Sequence, residues 1–286
     1  MGTTRIWRLR REVWRLPEEG AVMGILNVTP DSFSDGGAYP TAAAAAARAE
    51  AMLAEGADVI DIGGESTRPG AREVSPEEEM RRVLPVIRAL RKAGGMRLSI
   101  DTRHPEVARA ALEAGADIVN DVAGLRAPGM AELCAEYGCG VIVMHMKGEP
   151  ETMQRAPAYA DVAGEVRSFF EERLAALTAC GINPDCICWD PGPGFGKTAA
   201  HNLRLLAELD ALRVADRPIM SAISRKRFLG TLLNSPEKGR SALATVTLSL
   251  FAAARGADIH RVHEPGPLRE ALTLWRRAAQ HTPSSP

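Results

Sequence analysis

Three features of the sequence predict an α/β fold in which strands and helices alternate along the whole chain. Short apolar runs end repeatedly in a polar or charged residue: Ile25-Leu26-Asn27, Val59-Ile60-Asp61, Leu98-Ser99-Ile100-Asp101, Ile118-Val119-Asn120-Asp121, Val141-Ile142-Val143-Met144-His145, Ile187-Cys188-Trp189-Asp190, Ile219-Met220-Ser221 and Ile259-His260-Arg261-Val262-His263. Such runs read as strands of a parallel sheet covered on both faces, and parallel neighbours need a crossover, usually helical. The spacers carry helical patterns. Gly-Ala-Asp followed by Val or Ile also recurs at Gly56, Gly115 and Gly256, where glycine ends a helix and the next residues begin a strand. Eight such units close into a (β/α)8 TIM barrel, whose strand C-terminal ends converge on one mouth. The polar endings are then parts of one site drawn from the whole sequence.

The elements follow in order. Residues 1–20 hold alternating Trp and Arg, and Trp7, Leu9, Val13 and Leu16 suit a short hairpin closing the lower mouth better than a basic arm. An alanine-rich helix is expected over 41–55. Ser75, Pro76 and Glu78 supply an N-cap, a first-turn proline and a capping-box glutamate for a helix running to Ala93. Further helices are expected over 105–114, 128–137, 161–179, 199–209, 238–255 and 267–280. Residues 281–286, rich in Pro and Ser, read as a flexible tail. There is no linker and no composition break, so residues 1–286 are read as one domain.

A chain of 286 residues is ordinary for one barrel. Its net charge of −1 argues against nucleic acid or a membrane surface as the main partner. It has no signal-peptide core and no apolar span near about 20 residues, which points to a cytoplasmic protein. The five cysteines have no zinc-like spacing and read as small buried hydrophobes without a disulfide.

One stretch imitates a nucleotide loop. Pro191-Gly192-Pro193-Gly194-Phe195-Gly196-Lys197-Thr198 lacks the first P-loop glycine, because Pro191 occupies that position, and it is not the dinucleotide Gly-x-Gly-x-x-Gly. Its glycines read as a loop that lets backbone approach a ligand. Lysine usage is more telling: of 35 basic residues only five are lysine, and Lys147, Lys197 and Lys226 fall just after strands. With Arg68, Arg225, Arg227, Arg261 and His263 they predict a positive mouth, and the helix opening at Glu264-Pro265-Gly266-Pro267 adds a dipole, a combination suited to phosphate or diphosphate. Opposing it are Asp101, Asn120 and Asp190, expected to point inward. A carboxylate and an amide facing one pocket match the donor and acceptor edge of a flat heterocycle. A metal-binding cluster or a structural salt-bridge network would use the same residue types. Met144, Phe195 and the Arg261 guanidinium can wall such a slot.

Two longer segments are more specific. Ile25-Leu26-Asn27-Val28-Thr29-Pro30-Asp31-Ser32-Phe33-Ser34-Asp35-Gly36-Gly37 and Asp61-Ile62-Gly63-Gly64-Glu65-Ser66-Thr67-Arg68-Pro69-Gly70 closely resemble the signature segments of the dihydropteroate synthases. Asp101-Thr102, Asn120-Asp121, Met144-His145-Met146, Asp190-Pro191-Gly192, Gly194-Phe195-Gly196-Lys197, Ser224-Arg225-Lys226 and Arg261-Val262-His263 extend the resemblance over nearly the whole chain in the right order. Departures are local: Pro193 and Arg227 stand where the family tolerates other residues, and Lys147 replaces a more usual glutamine.

The resemblance implies condensation of 6-hydroxymethyl-7,8-dihydropterin diphosphate with 4-aminobenzoate, giving 7,8-dihydropteroate and diphosphate for folate synthesis, with Mg2+ as cofactor. It implies a pterin site of Asp101, Asn120, Asp190 and Lys226, with Arg261 stacking on the ring and Met144 and Phe195 beside it. Asn27 is implied as the magnesium-associated residue, and Thr67, Arg68, Arg261 and His263 as the diphosphate clamp. Phe33, Thr67, Pro69, Ser224 and the Lys226 stem correspond to the 4-aminobenzoate pocket, which sulfonamides would share. Asp35, Arg68 and Lys226 correspond to the residues nearest the reaction. Two other readings share parts of this pattern: a pterin-binding barrel that transfers a methyl group, and a pterin-binding protein without catalysis. The first has no need of the diphosphate clamp, and the second would be expected to lose Arg68, Lys226 or Arg261.

Two further expectations come from pattern. The seventh barrel helix carries no charge from Ser241 to Ala254, so both its faces are expected to be covered, most simply in a homodimer, which the resemblance also implies. The segments holding Phe33, Asp35, Thr67, Arg68 and Pro69 are rich in Gly and Pro without strand or helix periodicity, so they are expected to order only around bound diphosphate.

Overall fold

A computed structural model describes residues 5–29, 42–65, 73–148 and 152–281. The chain opens with a hairpin of β1 (Ile6–Arg8) and β2 (Val13–Arg15), antiparallel with Trp7 opposite Trp14. The two indoles stack at 6.3 Å, and Trp7 Nε1 donates to the Cys186 carbonyl at 2.7 Å. With Leu9 and Leu16 they pack on Ala21, Met23, Val59, Ile118, Ile142 and Ile259, plugging the lower end of the barrel as expected.

The chain then alternates strand and helix. In order come β3 (Ala21–Asn27), α1 (Ala42–Ala54), β4 (Val59–Gly63), α2 (Pro76–Ala93), β5 (Arg97–Asp101), α3 (Pro105–Ala114), β6 (Ile118–Asp121), α4 (Met130–Tyr137), β7 (Gly140–Met144) and α5 (Val162–Ala179). They continue with β8 (Ile187–Asp190), α6 (Ala199–Ala207), β9 (Met220–Ser221), α7 (Arg227–Leu232), α8 (Ala242–Ala253), β10 (Ile259–Val262) and α9 (Pro265–Gln280). Eight parallel strands pair in the order β8-β7-β6-β5-β4-β3-β10-β9. A parallel bridge between Trp189 and Ile219, with Trp189 N donating to the Pro218 carbonyl at 2.9 Å, joins the two ends into a nearly closed (β/α)8 barrel. Among the described residues no helix is long and apolar enough to cross a membrane.

The two-residue period of a strand sorts the side chains. Ile60, Ile62, Leu98, Ile100, Val119, Val141 and Val143 face outward and meet the helices in the main core. Each fully buried Ile, Leu or Val there contributes roughly 1.5–3 kcal/mol relative to exposure. The alternate residues face the barrel axis, apolar at the bottom and polar at the top, so that Asn27, Asp61, Asp101, Asn120, Met144, Asp190 and Arg261 converge.

Two details differ from the sequence reading. Ser75 caps α2 by accepting from Glu78 N, but the Glu78 carboxylate turns instead to Arg81 and Arg82, at 2.7 and 2.8 Å, because two guanidinium partners outcompete one amide. The helix expected over 238–255 opens as a separate 3-10 turn over Lys238–Arg240 before α8, and the short α7 that precedes it is not among the expected helices. Ser241 starts α8 by accepting from Ala244 N at 3.1 Å, and Gly230 and Gly239 let the two turns touch, since a β-carbon on Gly239 would lie 2.2 Å from Gly230 N.

A candidate active site at the barrel mouth

The centre of the mouth is an ion-pair network that crosses the barrel. Arg261 donates through Nε to Asp61 Oδ2 and through Nη2 to Asp101 Oδ2, each at 2.6 Å. Asn120 Nδ2 donates to the same Asp61 oxygen at 3.0 Å. Burial chiefly pushes the Asp101 carboxyl up to about 7, with Arg261 opposing and Asp61 adding to the rise. For Arg261 burial acts downward, but the two carboxylates together hold its pKa above the ordinary value. Among the described residues, Asp61 Oδ1 and Asp101 Oδ1 are buried without a hydrogen-bond partner. Unmatched buried acceptors are expensive, and they are what a donor-rich heterocycle edge would satisfy.

Facing this network is the end of β8. Asp190 Oδ1 accepts from Gly192 N at 2.8 Å, while burial raises its pKa against the pull of Lys226 and Arg261. Half-buried Lys226 donates to the Pro193 carbonyl, and its ammonium lies 4.6 Å from the centre of the Phe195 ring. Burial lowers it to about 8, with Asp190 opposing. Met144 lies beside Asp190 in register and packs with Val122, Met146, Met153 and Phe195 as an apolar wall. Nearer the rim, Ser224 Oγ and His263 Nδ1 are 2.9 Å apart, and His263 N donates to Ser224 Oγ at 3.2 Å. Asn27 ends β3 beside Gly63, its Oδ1 only 3.7 Å from where a β-carbon on Gly63 would stand.

The structure thus brings together Asn27, Asp101, Asn120, Met144, Asp190, Phe195, Ser224, Lys226, Arg261 and His263. Phe33, Asp35, Thr67, Arg68 and Pro69 lie outside the described residues.

The positive mouth needs correction. Lys197 is 3 % exposed and points away from the slot: its ammonium donates to the carbonyls of His145, Gly192 and Phe195 at 3.2, 3.1 and 3.0 Å and lies 3.0 Å from His145 Nδ1. Burial lowers Lys197 to about 7 and, with Lys197 adding to it, His145 to about 3, so the imidazole is neutral at physiological pH. Lys147 pairs with Glu165 at 2.7 Å. Of the three lysines only Lys226 reaches the slot, because a buried ammonium is held where several acceptors meet and the turning loop supplies them. The glycines of that loop serve backbone packing more than ligand approach: a β-carbon on Gly192 or Gly196, both at positive φ, would come 2.1 Å from the His145 carbonyl or 2.3 Å from that of Lys147.

Asp61 was not among the residues assigned to the site from sequence. Its signal was present, since it ends an apolar run as Asp101 does and shares the inward face of Val59, but only the closed barrel sets it against Arg261, 200 positions away.

A barrel with an acidic, amide-bearing slot at this mouth is the architecture of a pterin-binding enzyme, and the pattern of the family described as "Pterin binding enzyme" matches residues 23–263. Dihydropteroate synthase of Escherichia coli K12 is 46% identical over 253 residues, 88% of this chain and 89% of that one. Among solved structures, Xanthomonas albilineans dihydropteroate synthase with 4-aminobenzoic acid superposes with a TM-score of 0.89 at 44% identity, covering 98% of this chain and 100% of that one. The same enzyme in complex with 7,8-dihydropteroate gives 0.85 at 43% identity, with 96% and 100% covered. The chain belongs to the pterin-binding enzymes and, within them, to the dihydropteroate synthases.

Proposed function

We propose that the slot between the Asp61–Arg261–Asp101–Asn120 network and the Asp190–Lys226 pair holds the pterin ring in the reaction of this synthase. The chain is a transferase that condenses 6-hydroxymethyl-7,8-dihydropterin diphosphate with 4-aminobenzoate to give 7,8-dihydropteroate and diphosphate. The observation that carries the slot is the pair of buried carboxylate oxygens, Asp61 Oδ1 and Asp101 Oδ1, which have no hydrogen-bond partner among the described residues. Two carboxylates grip the Arg261 guanidinium by its edge, which leaves its flat face for stacking on the ring. Asp190 and Asn120 meet the ring's hydrogen-bonding edge, and Met144 and Phe195 cover its apolar surface.

In the reaction the bond from the exocyclic carbon to the diphosphate oxygen breaks, the aryl amine nitrogen bonds to that carbon from the other side, and the amine gives up a proton. The chain needs no nucleophile of its own; it orients and clamps. His263, with Thr67, Arg68 and Arg261, holds the diphosphate. Ser224, Phe33, Thr67, Pro69 and the Lys226 stem hold the 4-aminobenzoate, and Asp35 stands near the reacting carbon. Mg2+ fits at Asn27: among the described residues the Asn27 amide makes no hydrogen bond, and Mg2+ takes one or two protein oxygens and completes its shell with phosphate oxygens and water. When bound it neutralises charge growing on the leaving diphosphate.

The protein is a homodimer in this proposal. Helix α8 turns its small residues Thr245, Ser249 and Ala252 inward and leaves Leu243 76% exposed, with Leu274 of neighbouring α9 67% exposed. A second copy is the simplest cover for that face. The five free thiols suit a reducing cytoplasm. An assay of diphosphate release tests the activity: release should require both 4-aminobenzoate and Mg2+, and release independent of 4-aminobenzoate would refute the assignment.

A further inference from the structure

Two consecutive strand-to-helix connections and the helix between them bring Glu65, Glu79 and His104 to one point beside the slot. Glu65 follows β4, Glu79 lies in the first turn of α2, and His104 precedes α3. One carboxylate oxygen from each glutamate and one imidazole nitrogen lie within 4.8 Å of one another, with His104 Nε2 at 3.9 Å from Glu65 Oε2. Gly64 makes this convergence possible, since a β-carbon there would lie 2.8 Å from Glu79 Cγ.

The hydrogen bonding of this group is incomplete. Glu79 has no exposed surface, and among the described residues neither of its carboxylate oxygens has a hydrogen-bond partner of good geometry. His104 Nε2 is likewise buried and without a hydrogen-bond partner among the described residues. Glu65 is better served: Oε1 accepts from Val74 N at 3.1 Å, and Arg103 reaches its two oxygens at 3.2 and 3.3 Å. Arg103 also extends to Glu73 at 2.7 Å, so one guanidinium answers two carboxylates and none of its hydrogen bonds goes to Glu79. The Thr102 hydroxyl lies close enough to favour the Glu79 carboxylate, but burial dominates and, with Glu65 and Asp101 adding to it, lifts the carboxyl to about 8. A cation would turn the two carboxylates' repulsion into shared attraction.

We propose that Glu65, Glu79 and His104 bind a zinc-class divalent ion, at a site separate from Asn27. One imidazole nitrogen with two carboxylate oxygens is a donor set for Zn2+; Mg2+ and Ca2+ favour oxygen alone. The three ligand atoms, no more than 4.8 Å apart, would close on a metal with bonds of about 2.0–2.2 Å, with Arg103 yielding one Glu65 oxygen. Glu65 immediately precedes the segment 66–72 and already bonds Val74 beyond it, so the ion would fasten both ends of the stretch holding Thr67, Arg68 and Pro69 to α2 and α3.

The test uses zinc chloride alone with the chelator-treated full chain, without substrate, so it is independent of the synthase reading. Metal analysis after gel filtration should find one zinc per wild-type chain. Calorimetric affinity should fall by more than about tenfold in Glu79→Gln and in His104→Gln, the loss expected when a metal ligand is removed. Should Glu79→Gln fail to fold, His104→Gln decides alone, since His104 makes no side-chain cap bond. A wild type that retains no zinc, or a His104→Gln variant that binds it as the wild type does, overturns the proposal.

Discussion

Replacing Arg261 by methionine removes the guanidinium that bridges Asp61 and Asp101 while keeping much of its stem volume. Both carboxylates are buried, at 0 % and 8 % exposure, and both ion pairs are 2.6 Å long. Removing one partner of a buried pair costs about 3–5 kcal/mol, because the other charge is left desolvated. That is a large share of the roughly 5–15 kcal/mol stability of a typical domain. The loss depends on pH. Asp101 titrates near 7 in the folded chain against 3.8 ordinarily, so the folded state holds a proton that the unfolded state has released, and this group's contribution to stability falls as pH rises through that window. Without Arg261 its pKa rises further, extending the fall to higher pH. Urea unfolding at about pH 5 and about pH 8 should therefore show a small gap between wild type and Arg261→Met at the lower pH and the full gap at the higher one. An equal gap at both, or less than about 1 kcal/mol at the higher pH, would show the carboxylates to be hydrated and the network reasoning wrong.

Asp190→Asn should weaken pterin binding by about 1.5–3 kcal/mol through lost charge and mismatched donors, with folding retained; an unchanged affinity by calorimetry would remove Asp190 from the slot. 4-Aminobenzoate should bind the free protein poorly and bind well with pterin and magnesium diphosphate present, because Phe33, Thr67 and Pro69 share their segments with the diphosphate-holding residues. Equilibrium dialysis with labelled 4-aminobenzoate checks this, and equal affinity in both conditions contradicts it. Light scattering at micromolar concentration should give twice the 30.6 kDa chain mass; a monomeric mass would leave the apolar face of α8 and α9 unexplained by self-association.

The sequence by itself determined the barrel and most of the slot, because both rest on short-range rules. Apolar runs with a two-residue period define strands such as Val59–Gly63 and Arg97–Asp101, and the strand ends of a barrel share one mouth, so the pattern alone groups Asp101, Asn120 and Asp190. The N-cap at Ser75 was legible for the same reason, since it concerns neighbours in the chain. Partner choice among charged groups was decided only by the tertiary structure. Lys197 follows a strand as Lys226 follows a turn, yet three carbonyls and an imidazole capture it inside the loop, while Lys226 remains beside Phe195. Asp61 ends an apolar run much as Asp190 does, yet it became part of the site through Arg261 on a strand that is distant in sequence and two places away in the sheet. Glu79, in a first turn with two other acids, is fully buried because Gly64 lets its helix lie close against the end of β4. Each case turns on which groups lose solvent together. Desolvation depends on the packing of segments remote in sequence, and a periodic pattern along one segment carries no record of it.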